Sequence, residues 1–160
     1  MEIENLKYSI FSFFLLIAFT AYVNAADTHN KSIQWQEWSD SAFAQAKQEN
    51  KLVLLDLKAQ WCTFCKKMAN VTYQDPEVIK IINKNFIAIR ADIETTKPVA
   101  KRYGYFGVPG TIILTGDNKE LNRRLGYIKP QFMQWHLLGI LQDSQPQDKS
   151  LKTSSEITQR

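Results

Sequence analysis

The sequence predicts an α/β fold, a central mixed β-sheet flanked by helices, on three observations. Short apolar runs, LVLLDL (52–57), FIAIRA (86–91) and Thr111 to Thr115, read as buried strands. Amphipathic segments of helical period separate these runs, which is the arrangement of parallel βαβ units. The turn Gly116-Asp117-Asn118-Lys119 then leads into Leu121 to Leu125, whose alternation marks the half-exposed edge strand of an antiparallel hairpin.

Each element has a local cause. Ser39 caps a first helix that runs through Phe43 and Ala46 to Asn50. Lys51 opens the first strand, Ala59-Gln60-Trp61 connects it onward, and Cys62 stands where the next helix begins. That helix carries CTFCKKMAN and restarts at Asp75-Pro76-Glu77, where the aspartate caps and the proline takes the first helical position. Val78, Ile81 and Ile82 then share one face through Asn85. Thr96, Lys97 and Pro98 start a short helix with Val99 and Tyr103 on one face and Gly104 as its stop. Pro130 begins the last helix, with Met133, Leu137 and Ile140 or Leu141 facing inward. From Gln142 onward the chain is polar and aperiodic, which predicts disorder.

A chain of 160 residues has room for one domain with a real core. A net charge of +4 is mild, and Lys66-Lys67 and Arg123-Arg124 are too short as basic runs to recruit nucleic acid. Residues Ile10 to Val23 are almost wholly apolar, follow Lys7 and end in Val23-Asn24-Ala25. Small residues there suit signal peptidase, so cleavage after Ala25 is expected; the alternative is a retained anchor, and Glu2 and Glu4 speak against a typical signal. Either way the domain leaves the cytoplasm. The expected organisation is a signal peptide at 1–25, a flexible lead-in at 26–32, one domain at 33–142 and a disordered tail at 143–160.

The chain has two cysteines, Cys62 and Cys65, and two placed at random fall three apart about once in eighty chains. A loop this short constrains little unfolded-chain entropy, so the pair is there for chemistry, not for stapling. In an oxidising compartment that chemistry is redox or metal binding. At a helix start Cys62 meets unsatisfied N–H groups and the positive end of the helix dipole, which favours thiolate. Cys62 is therefore the expected exposed nucleophile, and Cys65, one turn inward, the resolving thiol. A metal site would need more ligands than His29, His136 and Met68 offer, so no metal or other cofactor is expected.

The segment LLDLKAQWCTFCK resembles the active-site segment of thioredoxins. The longer pattern DLKAQWCTFCKKM…VTYQDPEVIK…ADIETT…FGVPGT is similar to the C-terminal periplasmic domain of DsbD and related exported thioredoxins. The resemblance covers most of residues 33–142. It implies a thioredoxin fold, a dithiol–disulfide cycle, a periplasmic setting and a redox partner protein. It also implies that Asp56, six residues before Cys62, is a buried acid whose raised pKa suits proton exchange with Cys65. Pro109, after Val108, matches the family's cis-proline, which borders the cysteines and leaves backbone free to pair with substrate. Trp61 belongs to the apolar rim of the site, whereas Trp35 and Trp38 read as core or lid aromatics.

The chain departs from the pattern in four places. Gly110 intervenes between Pro109 and Thr111, and Ala69 stands where the DsbD-type domain carries an acid. Lys58 takes an often aromatic position, its ammonium either favouring the Cys62 thiolate or simply solvated. Thr63-Phe64 between the cysteines lacks the histidine of strong oxidants, which leans toward a reductant. The expected function is an exported thiol–disulfide oxidoreductase reducing or exchanging disulfides in other exported proteins, fed by a membrane electron donor of the DsbD kind. The alternatives are an oxidase or isomerase of the same fold, and a non-catalytic module that binds a metal or a client.

Overall fold

The computed structural model describes residues 31–144. The expected signal peptide, the lead-in as far as residue 30 and the tail from residue 145 lie outside the described residues. Within them the order is β1 (Trp35–Gln36), α1 (Asp40–Gln48), β2 (Leu52–Lys58), α2 (Thr63–Asn70) and α3 (Pro76–Asn85), then β3 (Phe86–Asp92), α4 (Lys97–Tyr103), β4 (Gly110–Leu114), β5 (Glu120–Leu125) and α5 (Pro130–Ser144). A single 3-10 turn, Thr72–Gln74, joins α2 to α3. The sheet runs β1-β3-β2-β4-β5. β1, β3 and β2 are mutually parallel, and β4 and β5 complete the sheet antiparallel. The mixed sheet flanked by helices is the one expected.

The local causes act at the expected places. Ser39 Oγ accepts the Ala42 N–H at the start of α1. Asp75 Oδ1 accepts the N–H groups of Glu77 and Val78, and Pro76 opens α3. The hairpin turn closes through Thr115 N–H to Lys119 O at 2.8 Å, with Asn118 at φ 61°, a left-handed position that asparagine tolerates better than most residues.

Three boundaries differ from expectation. β1 was not anticipated, because two residues carry no readable period; Trp35 and Gln36 pair with Ala88 and Ile89. Gly104 ends α4 with right-handed φ −57°, not in the left-handed conformation of a glycine stop. Its smallness matters otherwise, since a Cβ there would stand 2.5 Å from the Ala100 carbonyl oxygen. α5 continues through Gln142 and Asp143 to Ser144, because a helix packed along one face need not be apolar in its last turn.

β2 is buried on both faces, so its side chains split between two cores. Val53, Leu55 and Leu57 pack with Phe43, Ala46, Val99 and Tyr103 on the α1 and α4 side. Leu54 packs with Met68, Tyr73, Ile82, Met133 and Leu137 on the other. Trp35 meets Tyr73 edge-on at 4.9 Å and Trp38 meets Phe43 at 4.8 Å, so both flank cores. Asp56, two residues after Leu54, points into the second side.

Candidate active site

Strand β2 delivers its C-terminal end and the Ala59-Gln60-Trp61 connection to the start of α2. Cys62 is the N-cap of that helix, with extended backbone at φ −76° and ψ 102°. Its Sγ accepts the Cys65 N–H at 3.0 Å, taking the place that a serine or aspartate oxygen holds in an ordinary cap. Cys62 and Cys65 are joined in a disulfide. The expected greater exposure of Cys62 is not seen: Cys62 is 4% exposed and Cys65 8%. In the oxidised state Cys62 Sγ is turned in toward the helix end, so the N-cap position, not exposure, distinguishes the two sulfurs.

The pair sits with Ala59 in a small buried cluster against which Ile93 and Val108 pack. The Val108–Pro109 peptide bond is cis. Pro109 O accepts the Gly126 N–H at 2.8 Å, whereas the backbone of Val108 makes no such bond among the described residues. Gly110 opens β4 opposite Leu57 and Leu125. A Cβ on it would come within 3.1–3.2 Å of Leu57, Phe106 and the Gly107 carbonyl, so the glycine after the proline is a fit to crowding. Trp61 and Phe64 flank the dithiol at 65% and 58% exposure and give it an apolar rim.

Asp56 is 4% exposed and paired directly with Arg90 across the parallel β2–β3 ladder. Arg90 Nε donates to Asp56 Oδ2 at 2.7 Å, and the Tyr73 hydroxyl donates to Oδ1 at 3.4 Å. The Arg90 guanidinium lies over the Trp35 ring, 3.9 Å from its centroid. Burial pushes the Asp56 carboxyl above its ordinary range, and Arg90, Tyr73 and Lys58 offset this only in part. Asp56, Arg90, Lys58, Ala59, Ala69 and Cys65 together border a cavity of about 180 Å³, so the acid and the second cysteine open onto one space. Ala69, in place of an acid, leaves that space free.

Arg90 was missed from the sequence. Its signal was a lone cation inside the apolar run FIAIRA, with no period to say which strand residue faces it. Lys58 has a partner that the sequence did not reveal, since its ammonium pairs with Asp92 Oδ2 at 3.1 Å. Burial opposes ionisation of Asp92, but the Glu94 N–H and Lys58 hold its carboxyl below the usual range.

A family model described as Thioredox_DsbH, protein of unknown function DUF255, matches residues 16–122. The thiol:disulfide interchange protein DsbD of Neisseria meningitidis is 35% identical over 91 residues, 54% of this chain and 15% of that protein. An uncharacterized protein of Caenorhabditis elegans is 33% identical over 96 residues, 55% of this chain and 13% of its own length. The chain thus spans about a seventh of the length of these curated relatives. Among solved structures, a thioredoxin from Thermus thermophilus superposes with a TM-score of 0.61 at 21% identity, covering 69% of this chain and 88% of that one. At that identity the likeness is one of fold.

Proposed function

The chain belongs to the Thioredox_DsbH family, and from that premise we propose that it is an exported thiol–disulfide oxidoreductase that reduces or exchanges disulfides in other exported proteins. The observation that carries the reading is the Cys62–Cys65 disulfide at the N-terminus of α2, where the Cys65 N–H is aimed at Cys62 Sγ. A donor that stabilises sulfur there favours the Cys62 thiolate in the reduced protein.

In the forward cycle the Cys62 thiolate attacks a client disulfide and expels one client thiolate, forming a mixed disulfide. Cys65 loses its proton to Asp56 across their shared cavity, and its thiolate attacks Cys62 Sγ. The client leaves as a dithiol, and Cys62 and Cys65 end as the disulfide. Two electrons have passed to the client, and a dithiol donor of the DsbD kind restores them. Trp61 and the free Val108 backbone beside Pro109 align an extended client. A carboxyl raised by burial takes up a proton more readily than an ordinary one, and general acid–base groups contribute about 10²–10⁴-fold.

Export rests on the apolar run Ile10 to Val23 and the small residues Val23 and Ala25. The product is periplasmic, or held at the inner membrane facing the periplasm if the run is retained. No helix among the described residues is long and apolar enough to cross a membrane.

Trapping tests the assignment. Cys65→Ser accumulates mixed disulfides with disulfide-bearing clients on non-reducing gels, and Cys62→Ser does not. Equal trapping by both variants refutes the division of labour. Failure of the wild type to reduce any protein disulfide when supplied with a dithiol donor refutes the function.

A further inference from the structure

A second candidate site, lined by neither cysteine, lies on the α5 side of the sheet. Arg90, Asp56, Thr111 and Arg124 stand opposite one another on β3, β2, β4 and β5, one polar rung among apolar ones. Cross-strand partners share a face of the sheet, so Arg124 extends from the edge strand on the side that α5 covers. Two strand spacings, about 10 Å, separate it from Asp56. Arg124, Ile128, Phe132, Trp135 and His136 enclose a groove of about 420 Å³, within the range of small-molecule sites.

Three features of this groove are left without a partner in the fold. Phe132 and Trp135 form a T-shaped pair, ring centroids 5.4 Å apart, yet both are more than half exposed. His136 Nε2 is enclosed and has no hydrogen-bond partner among the described residues. Arg124 is in no ion pair among the described residues, unlike its neighbour Arg123, which pairs with Glu120. A buried polar atom left unpaired calls for a missing partner, and a solvent-facing aromatic pair calls for a cover.

We propose that this groove binds a small amphiphilic carboxylate with an aromatic or branched aliphatic body. The carboxylate takes the fork of Arg124, and a turn of the His136 ring, whose Nε2 is enclosed where it stands, brings Nε2–H to the second oxygen. The planar guanidinium suits a carboxylate's two oxygens. The hydrocarbon lies along Ile128, Phe132 and Trp135 and covers the aromatic faces. Charge selects the class: among the described residues the two polar groups lining the groove are a cation and an imidazole, and no acid borders it. A cationic ligand would meet the like charge of Arg124, and a neutral one would gain nothing from the guanidinium. Burial, and then the nearby Arg124 charge, lower the His136 pKa, so the imidazole is neutral at physiological pH and the anion's main charge partner is Arg124.

The test uses the full oxidised chain and 4-fluorophenylacetate, followed by fluorine NMR. The expected result is saturable binding, weaker by at least about tenfold for 2-(4-fluorophenyl)ethanol, since a charge-assisted hydrogen bond is absent. Arg124→Gln weakens the acid by a similar factor and leaves the alcohol unchanged, and Trp135→Ala weakens both. Far-UV circular dichroism and thermal melts show that the variants fold; Arg124 is exposed on an edge strand, so its replacement leaves the core intact. Acid and alcohol binding alike, or acid binding unchanged in Arg124→Gln, overturns the proposal. So does the absence of saturable binding. Sedimentation with phosphatidylglycerol vesicles that depends on Phe132 and Trp135, without binding of the acid, would overturn it in favour of a membrane-facing surface.

Discussion

Asp56 is held between burial, which disfavours its charge, and Arg90, which favours it; burial prevails and the carboxyl is raised. For an acid with a raised folded value, the linked stability is complete below the unfolded value, about pH 4, and is lost as pH rises through the folded value. Asp56→Asn has no such loss and keeps an oxygen for Arg90. Its stability relative to the wild type should rise between about pH 4 and about pH 7, read from urea unfolding of the oxidised protein at both ends. A difference that stays constant over that interval would mean that the ion pair fully offsets burial. At this scale the sequence was half legible. The acid was readable because the resemblance to the DsbD-type domain implies a buried acid six residues before Cys62. Its partner was not, because Arg90 is set opposite it by the register of a parallel ladder joined through two helices. Lys58 escaped for the same reason, since the next-but-one rung of that ladder places it opposite Asp92. Opposite charges directly across a ladder stabilise each other, but a single chain read in order does not reveal which residues stand across.

At the scale of elements, the break between α2 and α3 fixes how the dithiol helix meets the rest of the fold. Asp75 caps α3 through two N–H groups and also accepts the Gln134 side chain of α5 at 3.0 Å. One carboxylate therefore ties a helix start to the neighbouring helix. Asp75→Ala should cost about 0.5–2 kcal/mol, toward the upper end because Gln134 loses its partner too. Chemical unfolding measures it, and Asp75→Asn should recover most of the loss. This junction was legible because a cap, a proline and an acid follow in the order that helix starts require. The termini of α4 and the existence of β1 were less so. Gly104 is small because of crowding against Ala100, a reason invisible to conformational preference, and two residues of β1 gain their pairing wholly from β3.

For the whole molecule, the order of elements was legible and the outer boundaries rest on contacts. Export makes one claim on the full chain: expressed in a bacterial host, it should yield a product beginning at Ala26 by mass spectrometry, and a full-length membrane-bound product would mark an anchor. The domain boundary makes another. Ser32 and Gln34 are fastened to α3, as Asn83 Nδ2 donates to Ser32 O at 2.9 Å and Gln34 N donates to Asn83 Oδ1 at 3.3 Å. Ile33 is buried in the second core, and Trp35 lies between Tyr73 and Arg90. At the other end Leu141 still packs against that core. Among the described residues, both core clusters fall within the range from Ile33 to Leu141. A fragment of those residues should fold cooperatively, with an unfolding free energy within about 0.5 kcal/mol of the chain cut after Ala25. A further cut at Trp38 removes the Ile33 side chain from the core and uncovers Arg90 beneath Trp35. Loss of a large buried side chain costs about 2–5 kcal/mol, and unstacking Arg90 adds to it. Two urea titrations decide the matter. Equal stability of both fragments would show that β1 is an ornament on the sheet edge, and instability of the longer fragment would place part of the domain outside residues 31–144.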